Sequence, residues 1–417
     1  MFPDRLEAAG YFIGRAYKGW APGNLDGWDR NPAGPRFGGG DRHNPDYTGA
    51  FVEFLEARPA GKPFMFWLGA VEPHPSIMRS NQGIGVASGY DLDAIEVPPF
   101  LPDVPEVRSQ IADYLRLIER YDEQLGQIID MLEESGELDN TLVIVTSDHG
   151  MGFPRAKANL YEYSLRVPLA IRRGAAVPGG RVVDDLVNLV DLTATIYEVT
   201  GVEPPERYPI TGRCVLDLLQ SDREGIVESD RDAVFFGRER HTSARYKNRG
   251  YPMRSIRTHD FLYIRNFAPD RWPTGAPQPL GDDGQLLPLD PTLSAVFADS
   301  DPGLSKAFLL ENRDQARFEP YFLYAVGKRP TEELYDINAD PGCLVNLAGD
   351  PDYAEVREEL AARLDEYLRK TGDPRVVGPE YDIFESYPRY GQIRKYLPPE
   401  KEPEEWRELK VPAVSTQ

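Results

Sequence analysis

Two runs of almost unbroken apolar residues constrain this chain more than anything else in it. Pro63 to Ala70 reads PFMFWLGA, and Thr141 to Thr146 reads TLVIVT. Strands apolar on both faces belong to parallel sheets covered by helices on each side. Tyr11 to Tyr17 reads as another strand, entered from a short helix through Gly10, and Val167 to Arg172 as a fourth. Between them lie helical segments at Phe51 to Ala57, Val104 to Ser135 and Asp191 to Thr200. The longest carries an apolar stripe of Ile111, Leu115, Ile118, Leu125, Ile129 and Leu132. This alternation predicts an α/β domain over residues 1–235, a mostly parallel sheet flanked by helices. Ligands of such sheets bind beyond the carboxyl ends of the strands.

After residue 235 the texture changes. AVFFGRERH, YPMRSIRTHDFLYIRNF and EELYDINADP read as short strands between turns, and Tyr353 to Lys370 as an amphipathic helix. Residues 236–417 are therefore expected to form a smaller C-terminal α+β domain, an antiparallel sheet plus helix. Its Pro- and charge-rich tail, from about Pro374, is expected to wrap the surface or to be partly disordered.

Charge and cysteine content exclude several classes of function. The 68 acidic and 47 basic side chains give a formal charge of −21. Such a surface repels nucleic acid and anionic membranes at long range. An anion site must then rest on a few local cations. Two cysteines, Cys214 and Cys343, make neither a disulfide framework nor a zinc site. No apolar run is long enough to span a bilayer. The opening MFPDRLEAAGYF has no apolar core of a signal peptide.

Several residues fall where the strands predict a site. Asp148 and His149 follow TLVIVT directly, a carboxylate and an imidazole suited to half of a metal site. The plain alternative is an Asp that caps a helix beside an incidental His. His74, between two prolines, follows the PFMFWLGA strand. Lys18 follows the first strand, and Lys157 lies nine residues beyond Asp148. A tetrahedral oxyanion needs such point charges, although a lone lysine is more often a solvated one. The expectation is that Lys18, His74, Asp148 and Lys157 converge on one anion-sized hollow at one rim of a shared sheet. Arg238, Glu239 and His241, in GRERH, are expected sugar contacts from the second domain, with Trp20 as a further substrate contact.

Taken in order, EAAGYFIGRAYKGW, PFMFWLGAVEPHP, YDEQLGQIIDMLEESGELDNTLVIVTSDHG, KANLYEYSLRVPL, VNLVDLTATIYEVTG and ELYDINADPGCLVNLA resemble the sulfatase family of the alkaline-phosphatase-like superfamily. YPMRSIRTHDFLYIRN and FPRAKANLYE look most like heparan N-sulfatases (N-sulfoglucosamine sulfohydrolases) and their bacterial relatives. The resemblance implies hydrolysis of a sulfate ester or sulfamate, on a sulfated saccharide. It makes Asp148 a calcium ligand, with His149 at a position that is Asn in many sulfatases. His there is a softer ligand than calcium prefers, which leaves Mn2+ or Zn2+ as alternatives. It makes Lys157 a sulfate contact, His74 a contact to sulfate and leaving group, and Lys18 the Lys of a Lys-x-His motif whose His position is Trp20 here.

The sequence departs from the family upstream. Sulfatases carry an early Asp-Asp pair and a Cys- or Ser-x-Pro-x-Arg motif whose Cys or Ser becomes formylglycine. Cys214, Cys343 and Ser76 all lack that context, so this chain holds no nucleophile. Met1 is therefore expected to be internal to a longer gene. This chain is expected to be inactive by itself, with formylglycine present only in a full-length, periplasmic or secreted form. The rival expectations are a phosphodiesterase or phosphonate hydrolase of the same superfamily, and a non-catalytic glycan-binding remnant.

Overall fold

The computed structural model describes residues 1–19, 30–41, 43–206, 210–290, 294–379, 381–389, 391–407 and 409–411. The chain forms two compact units. One comprises residues 1–88, 113–146 and 169–232, the other residues 89–112, 147–168 and 233–417. Two inner segments, 89–112 and 147–168, thus group with the C-terminal residues and not with the span 1–235 expected from sequence.

In the first unit β1 (Phe12–Tyr17) is the centre of a parallel sheet, flanked by β2 (Arg36–Phe37) and β3 (Phe64–Gly69). The helix Tyr47–Ala57 lies on this sheet. It starts at Asp46, whose side chain accepts the Gly49 N–H at 2.7 Å. Tyr47, Ala50, Phe51 and Phe54 recur at helical spacing and are its buried residues. Phe54 sits 5.0 Å from the Phe12 ring, 5.3 Å from Phe37 and 4.8 Å from Phe66. This close approach requires Gly14 in β1, because a Cβ there would come within 2.6 Å of Phe54. The opposite face of β3 is less covered. Trp67 is 43% exposed, with the Phe2 ring 6.3 Å away.

The long helix spans Pro105–Glu134. Its buried stripe matches the expected one in part: Ile111 and Leu132 are buried as expected. Leu117, Ile128 and Leu132 are buried with Tyr114 and Tyr121 packed beside them, while Ile118 is exposed. The tyrosines continue the three- and four-residue steps that an aliphatic count overlooks, and Ile118 lies about 100° round the helix from Leu117. β4 (Val143–Thr146) pairs with β5 (Leu169–Arg172) in an antiparallel sheet of its own. The shared parallel sheet expected for β1, β3 and β4 is not how these strands pair. A parallel return needs a crossover, usually a full helix, and the chain between β4 and β5 offers only the single turn Glu162–Leu165.

The second unit is built on an antiparallel sheet in the order β6 (Ala233–Arg238), β7 (Met253–Thr258), β8 (Phe261–Asn266), β9 (Glu332–Asp336). On one side Ile256, Tyr263 and Leu334 pack with Leu360, Leu364 and Leu368 of the helix Ala354–Lys370. On the other, Met253, Leu262, Ile264 and Tyr335 pack with Leu160, Tyr161 and Tyr251. The helices Leu304–Glu311 and Glu319–Val326, not read from the sequence, enclose a further core around Trp272 and Phe297. Tyr396 and Trp406 of the tail are buried in that core, so this stretch of the tail is packed.

Candidate active site

Lys18 and His74 belong to the first unit and share the carboxyl edge of its parallel sheet. Lys18 follows β1, and its N–H donates to Gly69 O, the last residue of β3, at 2.9 Å. His74 follows β3 by five residues and begins the helix Pro75–Ser80. Its Nδ1 accepts the Ser76 N–H at 3.2 Å and lies 2.9 Å from Ser76 Oγ. A backbone N–H can only donate, so the neutral ring carries its proton on Nε2. The loop before His74 is held by a buried network. Glu72 accepts from Arg120 Nε and Nη2 at 3.0 and 2.6 Å and from the Tyr47 hydroxyl. That hydroxyl also accepts the Val71 N–H at 2.8 Å, and Val71 O accepts the His74 N–H at 3.0 Å. Burial, and then Glu72, push the Tyr47 hydroxyl well above its ordinary range, so it remains a donor.

Asp148, His149, Lys157, Arg238, Glu239 and His241 belong to the second unit. The Asp148 turn is tight. Gly150 N–H donates to Ser164 O at 2.9 Å, and a Cβ on Gly150 would lie 1.9 Å from Tyr163 O. His149 Nδ1 lies 2.7 Å from Gly150 O, which can only accept, so Nδ1 carries the proton. The Nε2 lone pair is then available, 3.6 Å from Asp148 Oδ1. Burial holds the His149 pKa below the ordinary value, and Lys157 and His241 add to this against Asp148 and the Gly150 carbonyl. Asp148, Lys157 and His241 are therefore each within electrostatic reach of His149.

Lys157 is buried and ion-paired to Asp301, Nζ to Oδ2 at 2.8 Å. Its backbone is set by Arg155 and Ala158, both in the left-handed region at φ 67° and 63°. Non-glycine residues held so occur disproportionately at functional sites. Asp301 gave no signal in the sequence, since DSDPG reads as an ordinary turn.

The expected sugar contacts separate. Arg238 is buried, donates to Asp299 Oδ2 at 2.5 Å and Pro273 O at 3.0 Å, and is lowered by burial to about 10. Glu239 pairs with Arg254 and Arg375 at 2.6 and 2.7 Å. Both are engaged inside the unit. His241 is exposed, with Nδ1 3.5 Å from Asp299 Oδ1. Trp20 lies outside the described residues. Burial pushes the Cys343 thiol up to about 12, which excludes it as a nucleophile.

A divalent cation is a poor fit to the donors the structure describes. Among the described residues no group of three or more His, Cys, Asp or Glu is placed to hold a metal ion. Asp148 and His149 supply two donors, whereas calcium takes six to eight oxygens.

The family model "Sulfatase" matches residues 12–202, and "N-sulphoglucosamine sulphohydrolase, C-terminal" matches residues 150–273. An ulvan-active sulfatase of Formosa agariphila is 26% identical over 66% of this chain and 41% of its own length. Human N-sulphoglucosamine sulphohydrolase is 28% identical over 70% of this chain and 54% of its own. The chain thus spans about half the length of these relatives. A protein solved in complex with its substrate D-glucosamine-2-N,6-O-disulfate shares the fold, with a TM-score of 0.55 at 20% identity. That similarity covers 90% of this chain and 83% of the other. No helix among the described residues is long and apolar enough to cross a membrane.

Proposed function

We propose that the chain belongs to the sulfatase family of the alkaline-phosphatase-like superfamily and that the protein it represents hydrolyses a sulfate ester or sulfamate on an amino sugar. The observation that carries this reading is the pair of overlapping family matches, which run without a gap from residue 12 to 273. The saccharide assignment rests on the second of them, on the human relative and on the sulfated glucosamine bound by the structural neighbour.

The proposed roles follow from the local chemistry. Lys157, held in place by Asp301, supplies cationic charge to sulfuryl oxygens, and Lys18 is a further cation at the sheet edge of the first unit. His74 presents Nε2–H and acts as the donor to the departing oxygen or nitrogen. Asp148 Oδ1 and His149 Nε2 would be the cation donors of this chain, completed by ligands other than these two. A phosphodiesterase or phosphonate hydrolase is the second reading, favoured by the imidazole at position 149, which suits a softer cation.

The test is an assay with N-sulfoglucosamine, 6-O-sulfated glucosamine, a phosphodiester and a phosphonate monoester, with the metal content measured alongside. Release of sulfate, reduced about 10²-fold or more in His74→Ala, is expected. A preference for phosphorus esters would transfer the protein to the second reading. Sugar binding without any turnover would leave a glycan-binding role and end the enzymatic one.

A further inference from the structure

The core of the second unit holds more positive charge than its protein partners neutralise. Arg155, Arg238, Arg245 and Arg329 are each at most 8% exposed. Arg329, 3% exposed, has Nε, Nη1 and Nη2 all buried and without a hydrogen-bond partner among the described residues. Its guanidinium lies over the Tyr161 ring at 4.6 Å, and Arg155 lies over the same ring at 4.0 Å. Arg245 and Arg238 stand 5.6 and 6.0 Å from the Tyr251 ring.

Two carboxylates lie among these four cations. Asp299 is taken by Arg238 and Arg245, at 2.5 and 2.6 Å. Glu333 accepts from the Tyr161 and Tyr335 hydroxyls at 2.8 and 2.6 Å and from Asn266 Nδ2 at 2.7 Å, and from no arginine among the described residues. Burial keeps the hydroxyls of Tyr161, Tyr251 and Tyr335 protonated, so no phenolate adds negative charge. Four guanidinium groups against two carboxylates leave an excess of two. Further donors are unmet: Arg155 Nε, Arg238 Nε, Arg245 Nη1 and the fully buried Tyr251 hydroxyl.

We propose that this cluster binds a small inorganic anion, a halide or a compact oxyanion, with the Arg329 guanidinium and the Tyr251 hydroxyl as principal donors. Buried polar groups are hydrogen-bonded, and buried charges are paired. Water would meet the N–H requirement but not the charge, whereas an anion meets both. The guanidinium fork suits such a ligand, and its unmet groups are donors. Arg238 thereby passes from a sugar contact to a member of this site. The chain's net charge of −21 opposes anions from afar, so binding depends on these local groups. The residues given roles in sulfate chemistry above are not among the donors, so failure of that reading leaves this one standing.

The test uses thermal unfolding of the 417-residue chain against sodium bromide and, separately, sodium sulfate, comparing wild type with Arg329→Met and Tyr251→Phe. A ligand bound to the native state raises Tm saturably. The wild type should gain about 4 °C or more, Arg329→Met should lose the saturable gain, and Tyr251→Phe should need several-fold more anion. The salt that acts at the lower concentration separates halide from oxyanion. Crystals soaked in bromide should show anomalous density within hydrogen-bonding distance of Arg329. Identical salt responses in wild type and Arg329→Met, or no bromide at that guanidinium, overturn the proposal. Should Arg329→Met not fold, an unchanged anion response in Tyr251→Phe together with absent bromide density does the same.

Discussion

Arg120 meets the Glu72 carboxylate through two nitrogens, Nε at 3.0 Å and Nη2 at 2.6 Å, and the Glu72 side chain is wholly buried. Removing one member leaves the other as an uncompensated buried charge. Glu72→Ala should therefore cost about 3–5 kcal/mol, read as a lower urea midpoint. It should also loosen residues 71–74, because Tyr47, a partner of Glu72, bonds Val71. Ring 15N shifts of His74 would report this as a mixed tautomer. An unchanged His74 spectrum would show that the network serves stability alone.

Asp301→Asn removes the charge facing Lys157 Nζ, which is 8% exposed. A stability loss of about 2–4 kcal/mol is expected, smaller in Lys157→Met/Asp301→Asn than the sum of the single losses. A double-mutant cycle by chemical denaturation checks the coupling. Additivity of the two changes would mean that the pair contributes nothing.

Lys306 gives a pH signature. Its Nζ donates to Val296 O, Phe297 O and Ser300 O at 2.5, 3.2 and 2.7 Å, yet burial lowers its pKa to about 7. The unfolded chain keeps the ordinary value of 10.5. Between these values the unfolded state binds the extra proton, so stability from this group rises with pH from about 7 to 10.5. Below the lower value both states are charged and the full penalty applies. Lys306→Met should flatten that slope, by a few kcal/mol over the window, while losing about 1–3 kcal/mol from the carbonyls left without a donor. Unfolding midpoints of both proteins from pH 6 to 10 decide it, and parallel curves would refute the assignment.

Gly14→Ala places a methyl group 2.6 Å from Phe54 and 2.7 Å from Phe37. Overpacking of this kind costs about 1–3 kcal/mol. Gly39→Ala has open space at its Cβ and is the control, expected to stay within about 0.5 kcal/mol of wild type.

What could be read in advance was set by periodicity. PFMFWLG became β3, VIVT became β4, and the long helix was placed within a residue or so at each end, since apolar runs and a sustained helical stripe survive any tertiary context. Sheet membership was not legible. The pairing of β4 with β5 depends on how residues 147–168 turn back, and their sequence carries no crossover helix to betray the direction. Among the site residues, Lys18 and His74 were placed by strand ends. The partners Asp301, Asp299 and Glu72 lie in turns without pattern, and long-range ion pairs leave no trace in local spacing. Arg238 and Glu239 illustrate the reverse. Their charge suggested contact with a sugar; in the structure Arg238 pairs with Asp299, and Glu239 with Arg254 and Arg375.

The interleaving of segments 89–112 and 147–168 with the C-terminal residues bears on how this protein can be made and dissected. No single cleavage of the gene separates the two units. An N-terminal fragment ending at residue 232 would carry both inner segments without the C-terminal residues they group with, and the C-terminal fragment would lack Leu160 and Tyr161 from its core. On the ribosome the two inner segments of the second unit therefore wait for its C-terminal residues, and Leu160 and Tyr161 emerge well before Met253, Leu262 and Ile264, against which they are buried.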